Sequence, residues 1–218
     1  MPKNIVLLSD GTGNTSATLF TTNVWRLYEA LDLSDPDRQV AYYDDGVGTS
    51  SFKPLAILGG VFGFGLKRNV IDLYSFLCRN YRQGATPEAC DRIFGFGFSR
   101  GSFTIRVVAG LVAHEGLARY DGNAAQLTRD AKDAYRAYRR RFKTTLRLET
   151  PLRWSRDQFI RLWRCLWRIR QYDAARQLDP HAIHFLGLWD TVNLSPSFCT
   201  LAESYDRPSS TKCARFGC

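Results

Sequence analysis

Short apolar runs alternate with helical periodicity over the first half of the chain. Residues 4–8 are a run of Asn, Ile, Val and Leu, closed by the turn formers Ser9-Asp10-Gly11-Thr12-Gly13-Asn14. A continuous apolar run of this kind predicts a parallel strand buried on both faces. Val24, Leu27, Tyr28 and Leu31 recur at three- and four-residue steps and predict a helix over 22–31. Residues 40–43 predict a second strand, running into Asp44-Asp45-Gly46-Val47-Gly48-Thr49. The apolar, glycine-rich stretch 55–65 predicts a loop or a helix near an active-site mouth. Val70, Leu73, Tyr74, Leu77 and Tyr81 predict a helix over 70–81. Gln83-Gly84 reads as a turn, 91–96 as a strand and 102–112 as a helix. Strand and helix in alternation argue for an α/β fold, a mostly parallel sheet with helices on both faces.

The pattern changes near residue 120. From there to 178, scattered acids (Asp121, Asp130, Asp133, Glu149, Asp157, Asp173) face a long series of Arg and Lys, including Arg136, Arg139, Arg140, Arg141, Lys143, Arg161, Arg164, Arg168 and Arg170. Tyr135, Tyr138 and Phe142 are spaced for one helix face, and Phe159, Trp163, Leu166 and Trp167 for another. This predicts a basic, amphipathic helical cap inserted at 120–178. The strand signal returns at 182–189 and ends in Asp190; beyond Asn193 it fades. The predicted organisation is therefore one α/β domain over 1–193 with its cap, then an irregular tail over 194–218.

Composition narrows the classes. The chain has 218 residues, 44% of them hydrophobic, enough for a sizeable core. Its net charge of +9 favours encounter with anionic surfaces. None of the six cysteines forms a CxxC pair, so neither a zinc nor a redox site is predicted, and free thiols are expected. No signal peptide is visible: the run Ile5-Val6-Leu7-Leu8 is cut short by Ser9-Asp10. No stretch approaches the roughly 18 apolar residues that span a bilayer. A soluble cytoplasmic chain is expected, with signal-independent export left open.

The candidate chemistry lies in Gly97-Phe98-Ser99-Arg100-Gly101, a GxSxG sequence between a predicted strand and a predicted helix. That context suits a nucleophile elbow, where the serine sits on a sharp turn and flanking glycines admit neighbouring chain. A serine hydroxyl needs a base oriented by an acid. Asp190, closing a later strand, suits the acid; its alternative is a helix N-cap before Thr191-Val192. The histidines are His114, His181 and His184; none follows Asp190, and all three read as surface or core residues. An oxyanion hole needs two backbone N–H groups. Arg100, after the serine, is one candidate; Gly11 and Thr12 are candidates for the other, against an ordinary strand-to-helix turn.

Ser9–Asn14, Gly46–Thr49, Gly95–Arg106 and Phe185–Val192, in that order, resemble the uncharacterised α/β-hydrolase family that includes type VI secretion phospholipase effectors. The resemblance covers about residues 3–193. It implies a Ser–Asp–His hydrolase of ester bonds, in characterised members phospholipids, with Ser99 as nucleophile, Asp190 as acid and no cofactor. The family's histidine lies further on, in a segment this sequence lacks. After Asn193 the likeness stops, as a truncated or frameshifted gene would produce, so a C-terminally incomplete fold is expected.

Other readings compete. Asp10-Gly11-Thr12 is similar to the DxDGT loop of haloacid-dehalogenase-type phosphatases, but Leu8 stands where that chemistry needs its nucleophilic aspartate. A catalytically inactive hydrolase remnant is a second alternative. The basic stretch 129–176, with its Trp and Phe, suits in turn a solvated cap, an anionic membrane surface and, last, nucleic acid.

Overall fold

The computed structural model describes residues 2–11, 21–46, 62–140, 183–191 and 213–215, together with 155, 158, 159, 162 and 178. The elements in chain order are β1 (Asn4–Ser9), α1 (Asn23–Glu29), β2 (Gln39–Asp44), α2 (Phe62–Asn80), β3 (Arg92–Phe98), α3 (Arg100–Glu115), α4 (Ala124–Arg140), β4 (Ile183–Trp189) and β5 (Cys213–Arg215). The strands form one sheet in the order β2-β1-β3-β4-β5, every pair parallel.

The buried-strand expectation for residues 4–8 is met for a simple reason. Ile5 and Leu7 join the core under α2, α3 and α4, while Val6 and Leu8 pack with Val24 of α1 on the opposite face. Alternate side chains of a strand point to opposite faces, so a strand covered on both needs apolar residues throughout. β3 solves the same problem with alternating Phe and Gly. Phe94, Phe96 and Phe98 pack on the α1 side, whereas a Cβ on Gly95 would lie 2.8 Å from the side chains of Ile105 and Leu186. Those glycines let α3 lie directly on the strand.

Several boundaries differ from the sequence expectation. α1 is shorter than 22–31 because Thr22 is its N-cap, accepting from the Trp25 N–H at 3.1 Å. Asp91 lies outside β3; its buried carboxylate accepts from the Lys3 and Arg82 N–H groups, tying the strand's start to its neighbours. α2 begins at Phe62, inside the glycine-rich stretch, of which residues 55–61 lie outside the described residues.

Two regions hold regular elements within the expected cap and tail. Residues 124–140, expected within the cap, form α4, whose stripe of Leu127, Ala131, Ala134, Tyr135 and Tyr138 belongs to the main core. That stripe is continuous with the buried faces of α2 and α3, so this segment is part of the helical layer. The expected irregular tail contains β5, which pairs with Leu186–Leu188. Three residues are too few to show a period in sequence, and parallel pairing to β4 is what makes them a strand. Cys78 and Cys90 are free and buried, and burial pushes the Cys78 thiol up to about 12.

Candidate active site

β3 ends in a bend that returns the chain sharply into α3. Ser99 occupies that bend with φ 53° and ψ −116°, a conformation sparsely populated by residues with a Cβ. Its N–H donates to the Trp189 carbonyl at 2.9 Å, so the β3–β4 ladder runs one residue into the turn. The flanking glycines are needed sterically. A Cβ on Gly97 would lie 2.6 Å from the backbone of Ser102. One on Gly101 would lie 2.0 Å from the Ser9 carbonyl oxygen. Buried Ser102 completes the joint: its Oγ lies 2.7 Å from the Gly97 carbonyl and 2.8 Å from that of Trp189, so its one proton is shared between the two strand ends.

The last β3–β4 pair is Phe98 with Trp189, which makes Ser99 and Asp190 the next residues on neighbouring strands. Adjacent strands lie about 4.8 Å apart, so the two leave the carboxyl edge of the sheet side by side. Asp190 is exposed and also has a positive φ, 45°. Ser99 and Asp190 are the non-glycine residues with positive φ among those described. Aspartate tolerates this region better than most side chains. Its N-cap alternative depends on residues after 191, which lie outside the described ones.

The third wall comes from β1 and β2. With strand order 2-1-3, the chain direction of assembly reverses between β1 and β3, the switch point where α/β sheets open a crevice. Asp10, 1% exposed, follows β1 there. Its Oδ1 accepts from the Gly11 N–H at 2.7 Å, and its Oδ2 accepts from the hydroxyls of Thr22 and Tyr43, the latter at 2.9 Å. Burial, followed by the bond to Asp10, holds the Tyr43 phenol well above its ordinary value. Beside it, burial raises the Asp44 carboxyl, while donation from Ser9 and Asn69 opposes the shift. Burial lowers the Arg100 guanidinium.

The N–H of Gly11, a candidate oxyanion donor, donates to the carboxylate of the preceding residue. Thr12 lies outside the described residues. Arg100 opens α3 directly after Ser99, where first-turn N–H groups have no partner within the helix. The histidines stand elsewhere. His114 sits near the far end of α3, about 21 Å along a helix rising roughly 1.5 Å per residue, its ring 5.8 Å from that of Tyr138. His184 opens β4 about 20 Å from Asp190, at about 3.3 Å per strand residue, with its ring against Phe94. His181 is outside the described residues. Among the described residues no group of three or more His, Cys, Asp or Glu could hold a metal ion.

Sequence reading missed Ser102, Tyr43 and the anchoring role of Asp10. Only Asp10 carried a signal, in its Asp-Gly-Thr motif.

A family model described as the type VI secretion phospholipase effector Tle1-like catalytic domain matches residues 3–214. The uncharacterised protein YEL023C of Saccharomyces cerevisiae is 28% identical over 214 residues, covering 88% of this chain and 27% of that protein. The chain thus spans about a quarter of that relative's length. No solved structure matches. With a match over nearly its whole length, the chain belongs to the Tle1-like phospholipase effector catalytic domain family.

Proposed function

We propose that this α/β-hydrolase-like domain carries the nucleophile and acid of a serine hydrolase acting on phospholipid-type esters. Ser99 attacks the ester carbonyl and Asp190 orients the imidazole that takes the serine proton. The Arg100 N–H and that of Thr12 receive the charge that develops on the carbonyl oxygen. The observation that carries the reading is the pair of positive-φ residues, Ser99 and Asp190, at adjacent strand ends.

The base is not His114 or His184, so the test supplies it. Turnover of p-nitrophenyl butyrate is expected to rise saturably with added imidazole in the parent protein. Ser99→Ala is expected to fall to the imidazole background, and Asp190→Asn to lose most of the gain. Equal imidazole-supported rates for the parent and Ser99→Ala would end the serine reading and leave the inactive remnant.

The partner surface follows from the basic stretch. Phe159 and Leu162, both helical, are 67% and 62% exposed in a segment whose sequence carries Arg153, Arg156, Arg161, Arg164 and Arg168. Exposed apolar side chains among cations suit an anionic lipid surface. The chain is expected to pellet with phosphatidylglycerol vesicles, less so as salt rises, and not with phosphatidylcholine vesicles. The double change Phe159→Ser, Leu162→Ser is expected to weaken binding about tenfold, from roughly 1.4 kcal/mol of lost apolar contact. A gel shift on duplex DNA unaffected by that change would favour nucleic acid instead. No helix among the described residues is long and apolar enough to cross a membrane.

A further inference from the structure

We propose that a cleft at the amino edge of the sheet, remote from Ser99, binds the phosphate monoester of a small soluble molecule through Arg79 and Arg119. This site is independent of the serine chemistry. α2 leads into β3 and α3 leads out of it, so both helices end at the edge opposite the Ser99 bend. α3 alone spans about 24 Å, at roughly 1.5 Å per residue. The cleft, of about 610 Å³, opens between the end of α2, the loop that follows it, the segment after α3 and Leu178.

Its walls are tied together by buried hydrogen bonds. Tyr74 and Cys78, one helical turn apart, are both buried on α2. The Tyr74 hydroxyl donates to the Gly116 carbonyl at 2.8 Å and accepts from the Ala118 N–H at 3.1 Å. The same N–H reaches the Cys78 sulfur. Arg79 and Arg119, each one residue further along, therefore flank one seam. Leu117 and Leu178 exchange backbone hydrogen bonds of 2.8 and 2.7 Å, which fixes the far wall. On the near side the Arg82 N–H donates to the Asp91 carboxylate at 2.9 Å, and the Gly84 N–H to the Cys90 sulfur at 3.3 Å. A ligand would enter a preformed cleft, with little ordering left to do.

The charge of the cleft is unbalanced. Among the described residues no carboxylate lines it, and neither the Arg79 nor the Arg119 guanidinium has an ion pair or hydrogen bond. Arg68, Arg82 and Arg136, by contrast, pair with Asp72, Asp37 and Asp133. Arg79 lies in the last turn of α2, where the carbonyl ends carry about half a negative charge. Arg119 lies past the end of α3, beyond the turn in which that field acts. More than one positive charge is left for a ligand. A phosphate monoester carries close to two negative charges at neutral pH, on oxygens that match planar guanidinium forks. The volume exceeds what a bare phosphate fills and falls within the roughly 300–1,000 Å³ of small-molecule sites. Tyr81, Ala85 and Leu178 offer apolar contact to the carbon part. A membrane docked at this edge would leave the Ser99 bend facing away from it, which favours a soluble molecule.

Isothermal titration calorimetry of the whole chain with phenyl phosphate at low salt is the test. One saturable site is expected, with a Kd below about 1 mM that weakens as salt rises. Arg79→Gln and Arg119→Gln are each expected to weaken binding about tenfold, because each removes a charge-assisted contact. Both residues are exposed, so the fold tolerates either change. Arg82→Gln removes the same charge from just outside the cleft and is expected to leave Kd within about twofold. Ser99→Ala is expected to bind as the parent does. Inorganic phosphate is expected to bind about fivefold more weakly, for want of the apolar contact. No saturable heat up to about 5 mM phenyl phosphate overturns the proposal. So does an unchanged Kd in both Arg79→Gln and Arg119→Gln. A loss in Arg82→Gln as large as theirs overturns it too, since a diffuse surface field would then account for binding. A loss in Ser99→Ala would put the ligand at the other edge of the sheet. Inorganic phosphate binding as tightly as phenyl phosphate overturns the ester assignment.

Discussion

Gly101→Ala is expected to destabilise the fold by about 3 kcal/mol, although alanine is the better helix former. Gly101 lies in the first turn of α3, where propensity alone makes alanine more stable by roughly 1 kcal/mol. Packing reverses the sign. The new methyl would lie 2.0 Å from the carbonyl oxygen of Ser9 and 2.4 Å from its carbonyl carbon. Both are backbone atoms of β1, an interior strand paired on each side to β2 and β3, and no rotamer change relieves the clash. Overpacking typically costs about 1–3 kcal/mol, and contact with rigid backbone belongs at the upper end. Total stabilities are about 5–15 kcal/mol, so the change is a large share of the whole. Urea unfolding measures it. A midpoint at or above the parent's would mean that α3 is not seated on the end of β1.

Ser99→Gly is expected to raise stability by about 1 kcal/mol while removing imidazole-supported turnover. At φ 53° and ψ −116° a side chain costs roughly 1–3 kcal/mol. Glycine relieves that cost, and the extra freedom of its unfolded chain returns about 0.5–1 kcal/mol of the gain. Ser99→Ala removes the same hydroxyl but keeps the Cβ, so it is expected to match the parent in stability. The pair separates strain from chemistry: both variants lose the rate, and only one gains stability. Equal unfolding midpoints for the two would show that the bend stores no strain. A gain in the glycine variant alone would mean that the position keeps an unfavourable conformation for what its hydroxyl does.

These expectations start from features that were legible without coordinates, and others were not. The apolar run 4–8 predicted a doubly covered strand because burial on both faces leaves no polar position, and Ile5 through Leu8 split between the two cores accordingly. Gly97, Ser99 and Gly101 announced the bend because its constraints are local: a strand, a reversal and a helix within a few residues. Asp190 was legible as a strand end for the same reason. The partners of 124–140 were not legible, because an amphipathic stripe says that one face is buried and not what covers it. α2 and α3 cover this one.

The sequence by itself determined the parallel strands, the order in which they are met and the serine turn, since each depends on spacing within a few residues. Tertiary structure alone decided that the Gly11 N–H serves Asp10, that Tyr43 braces the same carboxylate from 33 positions away, and that His114 and His184 lie far from Ser99. Those outcomes depend on which strand ends become neighbours. Pairing β1 between β2 and β3 places groups from distant segments within hydrogen-bond reach, and no periodicity along the chain records such a meeting.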